Sequence, residues 1–95
     1  MASTHDVAHI NVQGQDVILV MVQSSVGSMG SSRQREVLAY IQGCANHAGL
    51  AGAVALIWQN GDRIDSFGPA RWNGYLRGLT AQYVAANINR TLTCG

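Results

Sequence analysis

Val17-Ile18-Leu19-Val20-Met21-Val22 sets six consecutive apolar residues between Asp16 and a polar, glycine-rich run that starts at Gln23. Successive side chains of a strand point to opposite faces, so a half-buried strand alternates apolar with polar residues. This stretch does not alternate. Its length suits a strand rather than a helix, and four of its six residues are β-branched. It therefore reads as a central strand covered on both faces. Ala53-Val54-Ala55-Leu56-Ile57-Trp58 repeats the pattern and gives a second two-faced strand.

Each of these runs has a neighbour that alternates. Val7–Val12 sets Ile10 and Val12 against Asn11 and Gln13, and Gln13-Gly14-Gln15-Asp16 turns it into the first apolar run. Asn60-Gly61 is a strong hairpin signal, and Arg63–Phe67 returns with Ile64 between charged neighbours. Both read as edge strands. Between the hairpins, Ser31 and Gln34 fit a capping box, and Val37, Leu38, Ile41, Cys44, Ala45 and Ala48 line one side of a helix over residues 32–48, closed by Gly49. After Gly68-Pro69, the residues Trp72, Leu76, Leu79, Tyr83 and Ala86 predict a second helix over residues 70–90.

The resulting fold class is α/β (α+β), ordered β-β-α-β-β-α, in one domain spanning residues 1–95. A helix joining two fully apolar strands implies a right-handed crossover and parallel neighbours. The sheet is then mixed and four-stranded, of order 1-2-3-4, with two helices. Those helices cover both faces only if they lie on opposite sides; otherwise another copy must cover the bare face. Val84, Ile88 and Leu92 form an i, i+4, i+8 row away from the second helix's main stripe. That row reads as the interface of a homo-oligomer, most simply a homodimer. The alternative is that residues 88–95 leave the helix and pack into their own core.

Composition narrows the function classes. Charged residues make up 12% of the 95, apolar residues 47%, and the net charge is +1 with no lysine. That balance gives no general pull toward nucleic acid or an anionic membrane. The apolar runs are too short to span a bilayer, and residues 1–6 lack the pattern of a secretory leader, so the expected setting is cytoplasmic. Cys44 and Cys94 are accordingly expected as free thiols, with Cys44 a buried structural one. Asn89-Arg90-Thr91 matches the glycosylation pattern by chance in such a setting.

Candidate sites are few. The serine and glycine loop at residues 24–33 joins a central strand to a helix N-terminus, where α/β proteins bind anions and nucleotides. Ser28, Gly30, Ser31 and Arg33 are its candidate ligands, with Trp58 and Tyr75 lining a neighbouring pocket. The loop lacks the lysine and the glycine spacing of known phosphate loops, so a plain connector is the competing reading. Cys44 and His47 stand at i and i+3, but His5, His9 and His47 supply no standard zinc spacing, and neither a metal nor a cofactor is expected. Arg71-Trp72-Asn73-Gly74-Tyr75-Leu76-Arg77 mixes basic and aromatic residues as RNA-binding segments do, yet Arg71 and Arg77 point apart on a helix and Trp72 falls on its packing face. No catalytic motif is present. The reading is a non-enzymatic binding or assembly module that self-associates, set against a small-molecule or anion-binding protein using loop 24–33, with nucleic-acid binding through residues 71–77 a weaker third.

Overall fold

The two apolar runs pair with each other at the middle of the sheet. In the computed structural model, which describes residues 3–94, β1 (Ser3–Val12) and β2 (Gln15–Met21) are followed by α1 (Ser31–His47), β3 (Ala53–Asn60) and β4 (Arg63–Phe67). After these come α2 (Asn73–Arg77), α3 (Ala81–Asn87) and β5 (Arg90–Cys94). Short 3-10 turns occupy Ser24–Ser28 and Ala70–Trp72. Met1, Ala2 and Gly95 lie outside the described residues, and with them part of the stretch read for a leader.

The sheet order is β4-β3-β2-β1-β5. β2 and β3 are parallel, with Val17 opposite Ala53 and Val20 opposite Leu56, and every other neighbouring pair is antiparallel. Gly52 makes the parallel pair possible. Its φ is +123°, and a Cβ there would stand 2.6 Å from the Asp16 carbonyl oxygen, so only glycine lets the backbones approach at the start of β3.

Both faces of the sheet are covered from within the chain, by helices on opposite sides. Ile18, Val20, Val54, Leu56 and Trp58 meet Ile41 and Ala45 of α1. Val17, Leu19, Ala55 and Ile57 meet Trp72, Leu76 of α2 and Val84 of α3 on the other face. This is why neither apolar run alternates.

The structure departs from the sequence reading at several places. First, the sheet has five strands and the chain three α-helices, not four and two. Second, the long helix over residues 70–90 is broken after Arg77, and Thr80 starts a new helix by accepting a hydrogen bond from the Tyr83 N–H at 3.1 Å. Third, α1 begins at Ser31 with Gly30 as its cap, because the Gln34 side chain reaches back to the Val26 carbonyl at 2.9 Å instead of closing a capping box. Fourth, Val84, Ile88 and Leu92 are not one helical row. α3 ends at Asn87, Val84 and Leu92 are buried in opposite core clusters, and Ile88 alone stays exposed.

Cys44 and Cys94 are not free thiols either: they form a disulfide that ties α1 to the end of β5 across 50 residues of sequence. The Cys44–His47 pair therefore presents no thiolate. At the other end of β5, Asn89 fastens the chain to β1. Its amide donates to the His9 carbonyl oxygen and its side-chain oxygen accepts from the His9 N–H, both at 2.9 Å, while its own N–H donates to the Val7 carbonyl at 3.0 Å.

Candidate functional site

The carboxyl ends of parallel strands are where α/β proteins place ligands, and here the 3-10 turn at Ser24–Ser28 folds over the end of β3. Gly27 lies against Trp58; a Cβ at Gly27 would stand 2.5 Å from the indole Nε1. Ser24, Ser28, Trp58, Asn60 and Asp65 line a hollow of about 380 Å³. Asp65 faces Trp58 across the β3–β4 pair, and its carboxylate accepts a 2.7 Å hydrogen bond from the Asn60 amide. Of the six ligand candidates read from the sequence, Ser28 and Trp58 line this hollow and the other four do not. Gly30 and Ser31 begin α1, Arg33 pairs with Glu36 at 3.7 Å on its exposed surface, and Tyr75 lies with the opposite core cluster. The hollow holds a carboxylate and no arginine, so its chemistry suits a ligand with hydrogen-bond donors.

On the opposite face, Trp72 anchors α2 and its neighbours. The Tyr75 ring meets the Trp72 ring edge-on at 6.0 Å, and the Arg71 guanidinium lies 5.8 Å from the Trp72 ring centre. Trp72 is buried, so it is not presented for stacking on bases, and its indole N–H has no acceptor among the described residues. The Tyr75 hydroxyl donates to that of Tyr83 at 3.3 Å. Burial first, and then the Tyr83 hydroxyl, push the Tyr75 phenol well above its ordinary value.

The two sheet edges differ in chemistry. β4 carries Arg63 and Asp65, and a cleft of about 670 Å³ runs beside it between further charged side chains, Asp62 and Arg77. Charged edge strands resist pairing with another sheet. β5, Arg90-Thr91-Leu92-Thr93-Cys94, has a single charge at its start and no strand beyond it among the described residues. Leu92 and Cys94 turn into the core, whereas Thr91 and Thr93 are exposed.

The direction of the β5 backbone follows from the first hairpin. Gln13 and Gly14 have φ of 53° and 83°, a type I′ turn, which makes Val12 and Gln15 a hydrogen-bonded pair. Alternate residues of β1, Val12, Ile10 and Ala8, then bond to β2, and the other alternate set, Asn11, His9, Val7 and His5, faces the opposite way, so that Val7 and His5 bond to β5. His5 stands opposite Leu92 and Val7 opposite Arg90. The N–H and C=O groups of Arg90, Leu92 and Cys94 therefore face β1, and those of Thr91 and Thr93 face outward.

Two exposed apolar side chains stand near this open edge. Tyr40, 52% exposed on α1, borders a groove of about 400 Å³ shared with Thr93 and Cys94, and Ile88, 36% exposed, stands two residues before β5. The edge is a feature the sequence reading missed. Its signal was the alternation of Thr91, Leu92, Thr93 and Cys94 with two β-branched residues.

Among the described residues no helix is long and apolar enough to cross a membrane, and no three His, Cys, Asp or Glu side chains cluster as a metal site requires. Comparison of the chain with protein families, with curated proteins and with solved structures finds no match.

Proposed function

We propose that this chain is an assembly module that pairs with a second copy of itself edge to edge along β5. The open β5 edge carries the reading: outward-facing backbone groups at Thr91 and Thr93, one charge, exposed Tyr40 bordering the groove beside Thr93, and exposed Ile88 just before the strand. An antiparallel pair about a two-fold axis through Leu92 brings Thr91 of one copy opposite Thr93 of the other. Both pairs form reciprocal hydrogen bonds, and the two five-stranded sheets become one. Of the candidate interface residues read from the sequence, Ile88 is exposed outside the paired strand segment, while Leu92 sets the centre of the contact through the backbone and Val84 serves the core. A strand pair with a small apolar rim sits at the low end of specific interfaces, below about 1,200 Å² in total, so pairing is weak and concentration-dependent. In the cytoplasmic setting read from the sequence, cellular thiols would attack the Cys44–Cys94 bond; pairing across β5 would cover the groove that both cysteines line.

Light scattering tests this directly. The chain should move from its 10.1 kDa mass toward twice that value as concentration rises. Thr93→Pro should hold it at the monomer mass, because proline removes an outward N–H and leaves the β1 ladder whole. A monomer at every concentration, or a dimer unchanged by Thr93→Pro, would sink the proposal.

The hollow at Ser28, Trp58 and Asp65 favours a second reading, a binding site for a small cationic or hydroxyl-rich ligand. Such a ligand should raise the melting temperature. Asp65→Asn should abolish that rise for a cation, and no shift across a broad panel of amines and sugars would count against the site.

A further inference from the structure

Cys44 and Cys94 both line the groove between α1 and β5. They are not equally open. Cys94 is 1% exposed and belongs to the core cluster, whereas Cys44 is half-buried at its margin. Gly43, beside Cys44 and also in the groove wall, leaves space there: a Cβ added at Gly43 meets nothing within 4 Å. Tyr40 and His47 border the same opening, whose volume of about 400 Å³ exceeds that of a small thiol. Thiol–disulfide exchange depends on which sulfur is accessible, because the attacking thiolate must reach one sulfur from the side away from the other. With Cys94 turned to the core, the open approach is to Cys44.

We propose that this groove is a thiol-exchange site, at which a low-molecular-weight thiol forms a mixed disulfide with Cys44. The attacking thiolate sulfur bonds to Cys44 Sγ as the Cys44–Cys94 bond breaks. The electron pair of that bond leaves on Cys94 Sγ, which takes a proton from water. The incoming sulfur is oxidised to the disulfide level and Cys94 is reduced, so no other oxidant takes part. Exchange cuts the link between α1 and the end of β5 and leaves the β1–β5 ladder in place.

Cysteamine is a suitable probe. The oxidised chain is incubated with it under native conditions, at the lowest concentration mass spectrometry reads so that any pair has come apart, then alkylated and mapped. One cysteamine on Cys44 and an alkylated Cys94 are expected. Gly43→Leu, which fills the open wall, should slow the exchange on the order of tenfold. Its melting temperature should hold or rise, because leucine is the better helix former. An adduct on Cys94, or an unchanged rate in Gly43→Leu, would overturn the proposal. A chain that stays monomeric at every concentration leaves this result equally readable, so the failure of pairing and the failure of exchange are separate outcomes.

Discussion

Replacing Leu92 by alanine separates a core strand from a helical surface flank. Leu92 is 1% exposed and packs with Val7, Ile18, Ile41 and Cys94 on the α1 face. Leucine to alanine removes about three methylene equivalents, ~2.4 kcal/mol at 0.8 kcal/mol each, before any cavity is counted. Buried leucine truncations cost roughly 2–5 kcal/mol, and a site on the outermost strand relaxes more readily than one at the sheet centre. A loss of about 2–3 kcal/mol is therefore expected, which for a domain of this size lowers the melting temperature by roughly 10–20 °C. Thermal and urea unfolding followed by circular dichroism, with the disulfide kept intact, read the change. Thr91→Ala, on the exposed side of the same strand, should stay within about 0.5 kcal/mol of the parent. A Leu92→Ala variant as stable as Thr91→Ala would place Leu92 at the surface and refute the five-stranded sheet.

Three further outcomes follow from single contacts. Gly27→Ala drives a Cβ to 2.5 Å from the Trp58 indole nitrogen, so overpacking should cost about 1–3 kcal/mol and shift the Trp58 fluorescence; a silent variant would show that the 3-10 turn does not close on the ring. Reducing the Cys44–Cys94 disulfide reopens a loop of 50 residues, worth about 4 kcal/mol on the chain-entropy scale, and calorimetry of oxidised and reduced protein should show a correspondingly lower melting temperature. The Tyr75 phenol is raised by burial and by Tyr83, so above about pH 10, the ordinary phenol value, the unfolded chain ionises while the folded one keeps its proton. Stability should then fall with rising pH, and more shallowly in Tyr75→Phe; equal slopes in an alkaline melting series would contradict the assignment.

The centre of the fold was legible because hydrophobic burial leaves a direct trace. Val17–Val22 and Ala53–Trp58 do not alternate, and each is covered by a helix on both sides of the sheet. Asn60-Gly61 and the α1 stripe of Val37, Leu38, Ile41, Cys44 and Ala45 were equally local signals. The C-terminal third was misread where two periodicities overlap. Val84, Ile88 and Leu92 satisfy a helical spacing, while Thr91 to Cys94 satisfy a strand spacing, and no glycine or proline between Asn87 and Arg90 marks the change. Thr80 as a helix cap was a readable sign that the long helix breaks. The disulfide was not readable, since 50 residues separate its cysteines and the strand carrying Cys94 had gone unseen. Ser28 and Trp58 line one hollow because the loop folds back over β3, but Tyr75 lies on the other face, a side that turns on the chain's path after Pro69 and not on any local pattern.

Residue-resolved amide hydrogen exchange across a range of protein concentrations tests the β5 account most directly. The Leu92 N–H, bonded to β1, should be protected at every concentration, while the Thr91 and Thr93 N–H groups should exchange freely when dilute and gain protection as the chain is concentrated. Free exchange at Thr91 and Thr93 throughout would contradict pairing along β5, and free exchange at Leu92 would contradict the strand itself.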